Sequence, residues 1–304
     1  MARNTSTFHL TLPATSANLG PAFDAAALAF NLTLKLTAQP SKTFAIIASG
    51  RDQQICAQLE NHLILTTYKE VLESENKKLI PLAIKIKNDM PIGKGCGSSA
   101  AARLAGIALA NHFGRLRWTD ARIVGEASRR EHHPDNASAC WHGGLTVARM
   151  SSETEAQVLK VKPKGKWPLL FAIPEASLST EAARRVLPAQ YSRADAVANI
   201  QNSMLLLGAF TQGRHDLLAA ALEDRIHQPY RAPLCPLLPA AQTLTRAQGV
   251  LGAALSGAGP SVLIFLDPKK NVAKSKLAVS AHFRAHNLKA ELISTDIRQR
   301  GSTA

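Results

Sequence analysis

At 304 residues, 46% apolar and 19% charged, the chain is long enough to bury a sizeable core, and ordinary domain sizes predict two domains. A net charge of +14 invites a nucleic-acid partner, but the lysines and arginines are dispersed and aromatics are only 5% of the chain, which argues against stacking platforms for bases. No window nears the roughly 18 continuous apolar residues of a membrane span, the opening Met-Ala-Arg-Asn-Thr-Ser-Thr has no apolar signal core, and Cys56, Cys96, Cys140 and Cys235 form no C-x-x-C pair, so we expect a soluble cytoplasmic protein without zinc, disulfides, nucleic acid or membrane.

In chain order, Thr7 to Leu12 and the alternating Leu28 to Thr37 predict strands, and Phe44 to Ile47 a short one. Asn61 to Glu73 has helical spacing, with Leu63, Leu65, Tyr68 and Leu72 apolar. Leu82 to Ile86 predicts a strand delivering the chain to Pro91-Ile-Gly-Lys-Gly-Cys-Gly-Ser-Ser-Ala-Ala101. Glycines 93, 95 and 97 can take positive φ and turn their amides toward the start of a helix at Ala100 to His112, where the macrodipole favours an anion. The spacing is not that of the P-loop, because Lys94 is followed by Gly95 rather than Ser or Thr. A phosphate is the natural guest; a plain turn before a buried helix is the alternative. Thr119 as N-cap predicts a helix over 119–130, and Gly143 to Met150 a strand. The polar stretch 151–166, with Pro163 and Gly165, marks a boundary that divides the chain into 1–163 and 164–304. Beyond it we expect a strand at 169–173, helices at 194–212 and 214–225, strands at 252–254 and 261–266, and a helix at 271–286.

Three segments in this order carry a family resemblance: Pro13-Ala-Thr-Ser-Ala-Asn-Leu-Gly-Pro-Ala-Phe-Asp24, the glycine loop, and Leu255-Ser-Gly-Ala-Gly-Pro-Ser261. Over nearly its whole length the chain resembles the GHMP kinases. Within that family four local signatures resemble the homoserine kinases: the opening segment, His133-Pro-Asp-Asn136, Ser179-Thr-Glu-Ala-Ala-Arg184 and Pro229-Tyr-Arg231. The resemblance implies a two-domain α+β fold, a ribosomal protein S5 domain 2-like unit followed by a ferredoxin-like one. It further implies ATP-dependent phosphorylation of the L-homoserine side-chain hydroxyl with Mg²⁺, a step of threonine biosynthesis, and a homodimer. Two alternatives stay open: another small hydroxy acid, such as threonine or shikimate, and a non-catalytic nucleotide or amino-acid binder.

By the same resemblance Asn61, Pro91, Gly93, Lys94, Gly95, Cys96, Gly97, Ser98, Ser99 and Ala100 would hold the nucleotide. Ser99 and Glu131 would hold the metal, oxygen ligands being what Mg²⁺ prefers, with Glu126 a rival carboxylate. Asn18, Asp24, His133, Asn136, Thr180, Arg184 and Arg231 would bind the amino acid, Asp24 on its ammonium and the two guanidiniums gripping its carboxylate. Asn136 would orient the reacting hydroxyl, and Asp135 is within sequence reach of a base. The turn at Ser256 to Ser261 is expected to support the glycine loop. The chain departs from the family at Ala22, Ala27 and His132, where glycines are usual, and at Ala137-Ser-Ala-Cys140. A positive φ at residue 22 would make its alanine cost on the order of 1 kcal/mol.

Overall fold

In the computed structural model, which describes residues 7–303, strand β1 (Phe8–Ala17) buries Leu10, Leu12 and Ala14, the period of two that a half-buried strand requires. The opening residues 1–6, read above as lacking a signal core, and residue 304 lie outside the described residues. β1 pairs antiparallel along one edge of the long β2 (Ala26–Pro40). The opposite edge of β2 is shared. β4 (Leu82–Asn88) pairs with Leu34 to Pro40 and β5 (Leu145–Met150) with Ala26 to Leu28. β3 (Ala45–Gly50), parallel to β4, and β6 (Ala156–Val161) close the six-stranded sheet. Between these strands run α1 (Gln53–Ala57), α2 (Leu63–Ser74), α3 (Ser98–Gly114), α4 (Asp120–Glu131) and α5 (Asp135–His142), with α3 and α5 packed on β1 and β2. Alanines 100, 101, 105, 108 and 110 let α3 lie close to its neighbours, and Gly106 meets the backbone of α2.

The second sheet runs β10 (Ala290–Asp296), β7 (Pro168–Pro174), β9 (Val262–Leu266), β8 (Val250–Leu255), antiparallel throughout. β7 and β9 are buried on both faces, which is why they read as unbroken apolar runs. Leu169, Phe171, Leu263 and Phe265 join the core of the first sheet, while Leu170, Ala172, Val262 and Ile264 join a second core with Val279 and Phe283 of α11 (Val272–Ala285) and Leu237 of α10 (Leu237–Gln242). One sheet thus welds the two units, and Phe30 of β2 lies 5.0 Å from Phe171 between ring centroids. The remaining helices are α6 (Thr180–Arg185), α7 (Arg193–Gln212), α8 (Leu218–Ala221) and α9 (Gln228–Arg231). After β10 the chain returns to the first sheet, with Arg298 N bonded to Ala29 O and Thr303 N to Thr11 O.

Three expectations are corrected. The stretch 151–166 is not merely a polar boundary, since it contains β6. The helix at 214–225 is broken into a 3₁₀ turn over His215–Leu217 and the one-turn α8. Its continuation is diverted because the Asp224 carboxylate captures the backbone N–H groups of Ile226, His227 and Gln228, an alternative to the helical ladder. The opening segment takes positive φ at Asn18, Leu19, Gly20 and Asp24, but not at Ala22, so that alanine carries no left-handed strain. Thr119 caps α4 as expected, accepting from Arg122 N. No helix among the described residues is long and apolar enough to cross a membrane.

Candidate functional site

The glycine loop leaves β4 and enters α3 with Gly93, Gly95 and Gly97 all at positive φ, 68°, 75° and 71°. Each is held differently. A Cβ on Gly93 would meet nothing within 4 Å, whereas one on Gly95 would run into the Ser256 and Gly259 carbonyls, and one on Gly97 into the Thr15 hydroxyl and the Asn136 amide oxygen. Only glycine fits the last two positions on both counts. The loop is stitched down by Ser256 Oγ donating to Gly95 O (2.6 Å) and Thr15 N donating to Cys96 O (3.0 Å). Lys94 turns away from the helix start, its ammonium bonded to the carbonyls of Glu175 (2.6 Å) and Ala176 (2.8 Å). Cys96 is fully buried with its thiol on Pro91 O, and burial pushes that thiol up to about 12.

Beside the loop lies a cavity of about 170 Å³ whose wall brings together Gly93, Gly95, Gly97 to Ala100, Glu131, His133, Asp135 and Asn136 from the first unit with Thr180, Arg184, Arg231 and the 257–259 turn from the second, and with Asn18 and Asp24 from the opening segment. A larger cavity of about 830 Å³ adjoins it through Gly93, Ser98 and Ser99. Its wall includes Asn61 and the apolar Ile55, Leu59, Met90 and Ile92, suited to a flat heterocycle. The nucleotide candidates therefore divide. Gly93, Gly95, Gly97, Ser98, Ser99 and Ala100 line the first cavity, Asn61 the second, and the side chains of Pro91, Lys94 and Cys96 line neither.

On the substrate side Arg184 donates to both Asp24 carboxylate oxygens, at 2.8 and 3.0 Å, in a pair that is about one-third exposed. Arg231 is instead 1% exposed. Its Nε donates to Ala183 O (2.9 Å), and one terminal nitrogen donates to His227 Nδ1 (3.2 Å) and toward Gly257 O (3.5 Å). Burial, with Arg184 close by, holds its pKa below the ordinary arginine value. Both guanidiniums lie over the ring of Phe23, at 5.5 and 5.3 Å from its centroid. Asn18 fixes the geometry, donating to Gly257 O and accepting from Asp24 N. Behind them His227 donates from Nε2 to Gly20 O (2.8 Å), which leaves Nδ1 to accept from Arg231; burial lowers its pKa to about 4 and keeps it neutral.

Asp135, 1% exposed, accepts on one oxygen from His133 Nδ1 (2.6 Å), Asn136 N (2.6 Å) and Asn136 Nδ2 (3.3 Å). Burial works against a charged His133, but the bond to Asp135 and the nearby negative charges outweigh it and raise its pKa. Ser99 Oγ donates to Glu131 Oε1 (2.7 Å), so the two expected metal ligands meet at the head of α3, and the Arg103 guanidinium rests on the same oxygen. Hydroxyl and carboxylate oxygens facing a phosphate-sized cavity are a donor set that fits Mg²⁺. Glu126 lies elsewhere, buried under Arg129 and Arg130, and does not line the cavity.

Sequence reasoning passed over Phe23, Thr15 and His227 as parts of the site. It also gave the 257–259 turn support alone, although that turn lines the cavity. His132 sits at φ 67° as the C-cap of α4, a left-handed position where glycine is at home, and Ala137, Ser138, Ala139 and Cys140 are buried in α5, facing away from the cavity. The departures from the family pattern therefore change packing and leave the cavity wall intact.

Two family models match the chain, GHMP kinases N terminal domain over residues 62–144 and GHMP kinases C terminal over 206–285. The chain is 39% identical over 301 residues to homoserine kinase of Solibacter usitatus, covering 99% of this chain and 98% of that one. It is 35% identical over 266 residues to homoserine kinase of Deinococcus radiodurans, covering 88% and 86%. The crystal structure of homoserine kinase from Cytophaga hutchinsonii superposes with a TM-score of 0.82 at 23% identity, over 100% of this chain and 98% of that one.

Proposed function

The chain belongs to the GHMP kinases, and from that premise we propose that it transfers the γ-phosphoryl group of ATP to the side-chain hydroxyl of L-homoserine, giving O-phosphohomoserine and ADP. One observation carries the reading. Three positive-φ glycines at a helix N-terminus open onto the same cavity as an Asp24–Arg184 ion pair and the buried Arg231. An α-amino acid brings an ammonium and a carboxylate. It can exchange partners with that pair, ammonium to Asp24 and carboxylate to Arg184 and to the second terminal nitrogen of Arg231, which bonds to none of the described residues. The adenine would occupy the larger cavity beside Asn61, with the triphosphate running over the loop amides.

The chemistry then asks mainly for positioning and charge neutralisation. Asn136 presents its amide to the attacking hydroxyl. Asp135 would act first as an anchor, one of its oxygens holding both His133 and Asn136. Lys94 fastens the loop to residues 175–176 rather than gripping phosphate. Ser99 and Glu131 would hold Mg²⁺, which when bound offsets charge on the phosphates. A cytoplasmic homodimer remains part of the proposal, and we place the unit boundary near residue 163. An ADP-release assay with homoserine, threonine and shikimate tests the reading. Homoserine should be turned over with by far the highest kcat/KM; preference for another acceptor, or binding of ATP and homoserine without ADP release, would overturn it.

A further inference from the structure

We infer that Thr15 is a positioning residue for phosphoryl transfer, fixing the Asn136 amide in the orientation that serves the acceptor hydroxyl. The inference rests on the proposed role of Asn136. Thr15 lies in β1, fully buried, 121 residues from its partner, and its hydroxyl donates to Asn136 Oδ1 at 2.7 Å. The other end of the same amide, Nδ2, faces the Asp135 carboxylate at 3.3 Å. A flipped amide would set its carbonyl oxygen against that carboxylate, two acceptors face to face, so Asp135 sets the sense of the amide and Thr15 holds it there. With one Nδ2 hydrogen given to Asp135, the other is left for a substrate oxygen in the cavity that Asn136 lines.

Thr15 also reaches the nucleotide side. Its backbone N–H binds Cys96 O, and its hydroxyl lies directly against the Cα of Gly97, where a Cβ would collide with it. One residue therefore registers the phosphate loop against the amide that receives the acceptor. The backbone bond is open to any residue but proline at this position, and it is the hydroxyl bond to Asn136 that calls for a threonine or serine. Nothing local in Pro13-Ala-Thr-Ser distinguishes it from any β-branched strand residue.

The test compares Thr15→Val, Thr15→Ser, Asn136→Ala and the double variant Thr15→Val/Asn136→Ala, with kcat and both KM values measured beside urea melts. Thr15→Val removes the donor and keeps the shape, and should lower kcat about tenfold while homoserine and ATP KM values move less than threefold. Thr15→Ser should restore most of kcat, and the double variant should be no slower than Asn136→Ala alone. Thr15→Ala serves if the valine methyl disturbs Gly97 enough to unfold the protein. A folded Thr15→Val at wild-type kcat, or a double variant slower than Asn136→Ala by the full single-variant factor, overturns the inference. An Asn136→Ala enzyme of normal kcat would instead overturn the role of Asn136 in the proposed function.

Discussion

Replacing Arg231 by leucine and Arg184 by leucine should give two different proteins, although sequence alone treats the two as one clamp. Arg231 is buried, and its loss strands the acceptors Ala183 O at 2.9 Å and His227 Nδ1 at 3.2 Å, with Gly257 O at 3.5 Å a weaker third. A buried acceptor left unpaired costs about 1–3 kcal/mol, and removal of a desolvated charge returns part of that, so Arg231→Leu should destabilise the fold by about 2–4 kcal/mol. Arg184 is about one-third exposed and paired with an equally accessible Asp24; Arg184→Leu should change stability by less than about 1 kcal/mol. If both guanidiniums hold the carboxylate as proposed, each variant loses a charge-assisted bond worth about 1.5–3 kcal/mol, so the homoserine KM should rise about tenfold to a hundredfold in both, with ATP KM nearly unchanged. Urea melts followed by initial-rate kinetics read both quantities. Equal stability losses in the two variants would refute the structural distinction, and unchanged homoserine KM values in both would remove the amino-acid assignment.

Three further outcomes follow from the same geometry. Gly97→Ala puts a side chain at φ 71° against Thr15 and Asn136, so it should cost about 1–2 kcal/mol of backbone strain and lower kcat sharply; a folded variant with normal kcat and normal ATP binding by calorimetry would show the loop to be a plain turn. Glu131→Gln should lose kcat far more than homoserine affinity, while Glu126→Gln, which loosens the pair with Arg129 and Arg130, should cost roughly 1–2 kcal/mol of stability and leave kcat of the folded enzyme intact; the reverse pattern would move the metal to Glu126. His227, neutral in the fold with a pKa lowered from 6.5 to about 4, gives an unfolded state that binds the proton more readily, so stability should fall as pH drops from about 6.5 towards 4, and a His227→Gln variant should show a shallower decline in urea melts across that window; an identical slope would refute it.

The parts of this protein that were legible are those whose signal is local. Glycines ahead of an alanine-rich stretch announce positive φ and a helix start, and the unbroken apolar runs of β7 and β9 announce strands buried on both faces. β6 and β10 escaped for the opposite reason. Each carries mostly exposed or half-buried residues, so neither period two nor a solid apolar run stands out. Helices α6, α9 and α10, at six, four and six residues, are too short to display a 3.6-residue period.

The site divides along the same line, because its chemistry is assembled across long separations. Asp24 meets Arg184 160 residues away, Thr15 meets Asn136 across 121, and Asn18 meets Gly257 across 239. No spacing rule reaches that far, so Asp24, Arg184 and Arg231 were found through family resemblance, and Thr15, which is not needed to recognise the motif, was not found. The same distances explain why a resemblance alone gave Arg184 and Arg231 equal weight. A motif records that a guanidinium is present, whereas its energetic role depends on what already surrounds it. Arg231 is tied by His227 to the Gly20 carbonyl and by its own Nε to Ala183, so it joins the opening segment, α6 and α9 before any ligand arrives. Among the described residues the hydrogen bonds of the Arg184 side chain go to the Asp24 carboxylate, the group that the substrate's ammonium would claim in the proposed reaction, so Arg184 could change partner. In the proposed reaction the buried Arg231 would supply a fixed reference for the incoming carboxylate, and the one-third-exposed Arg184 the exchange that would let the amino acid enter a site already neutralised by its own ion pair.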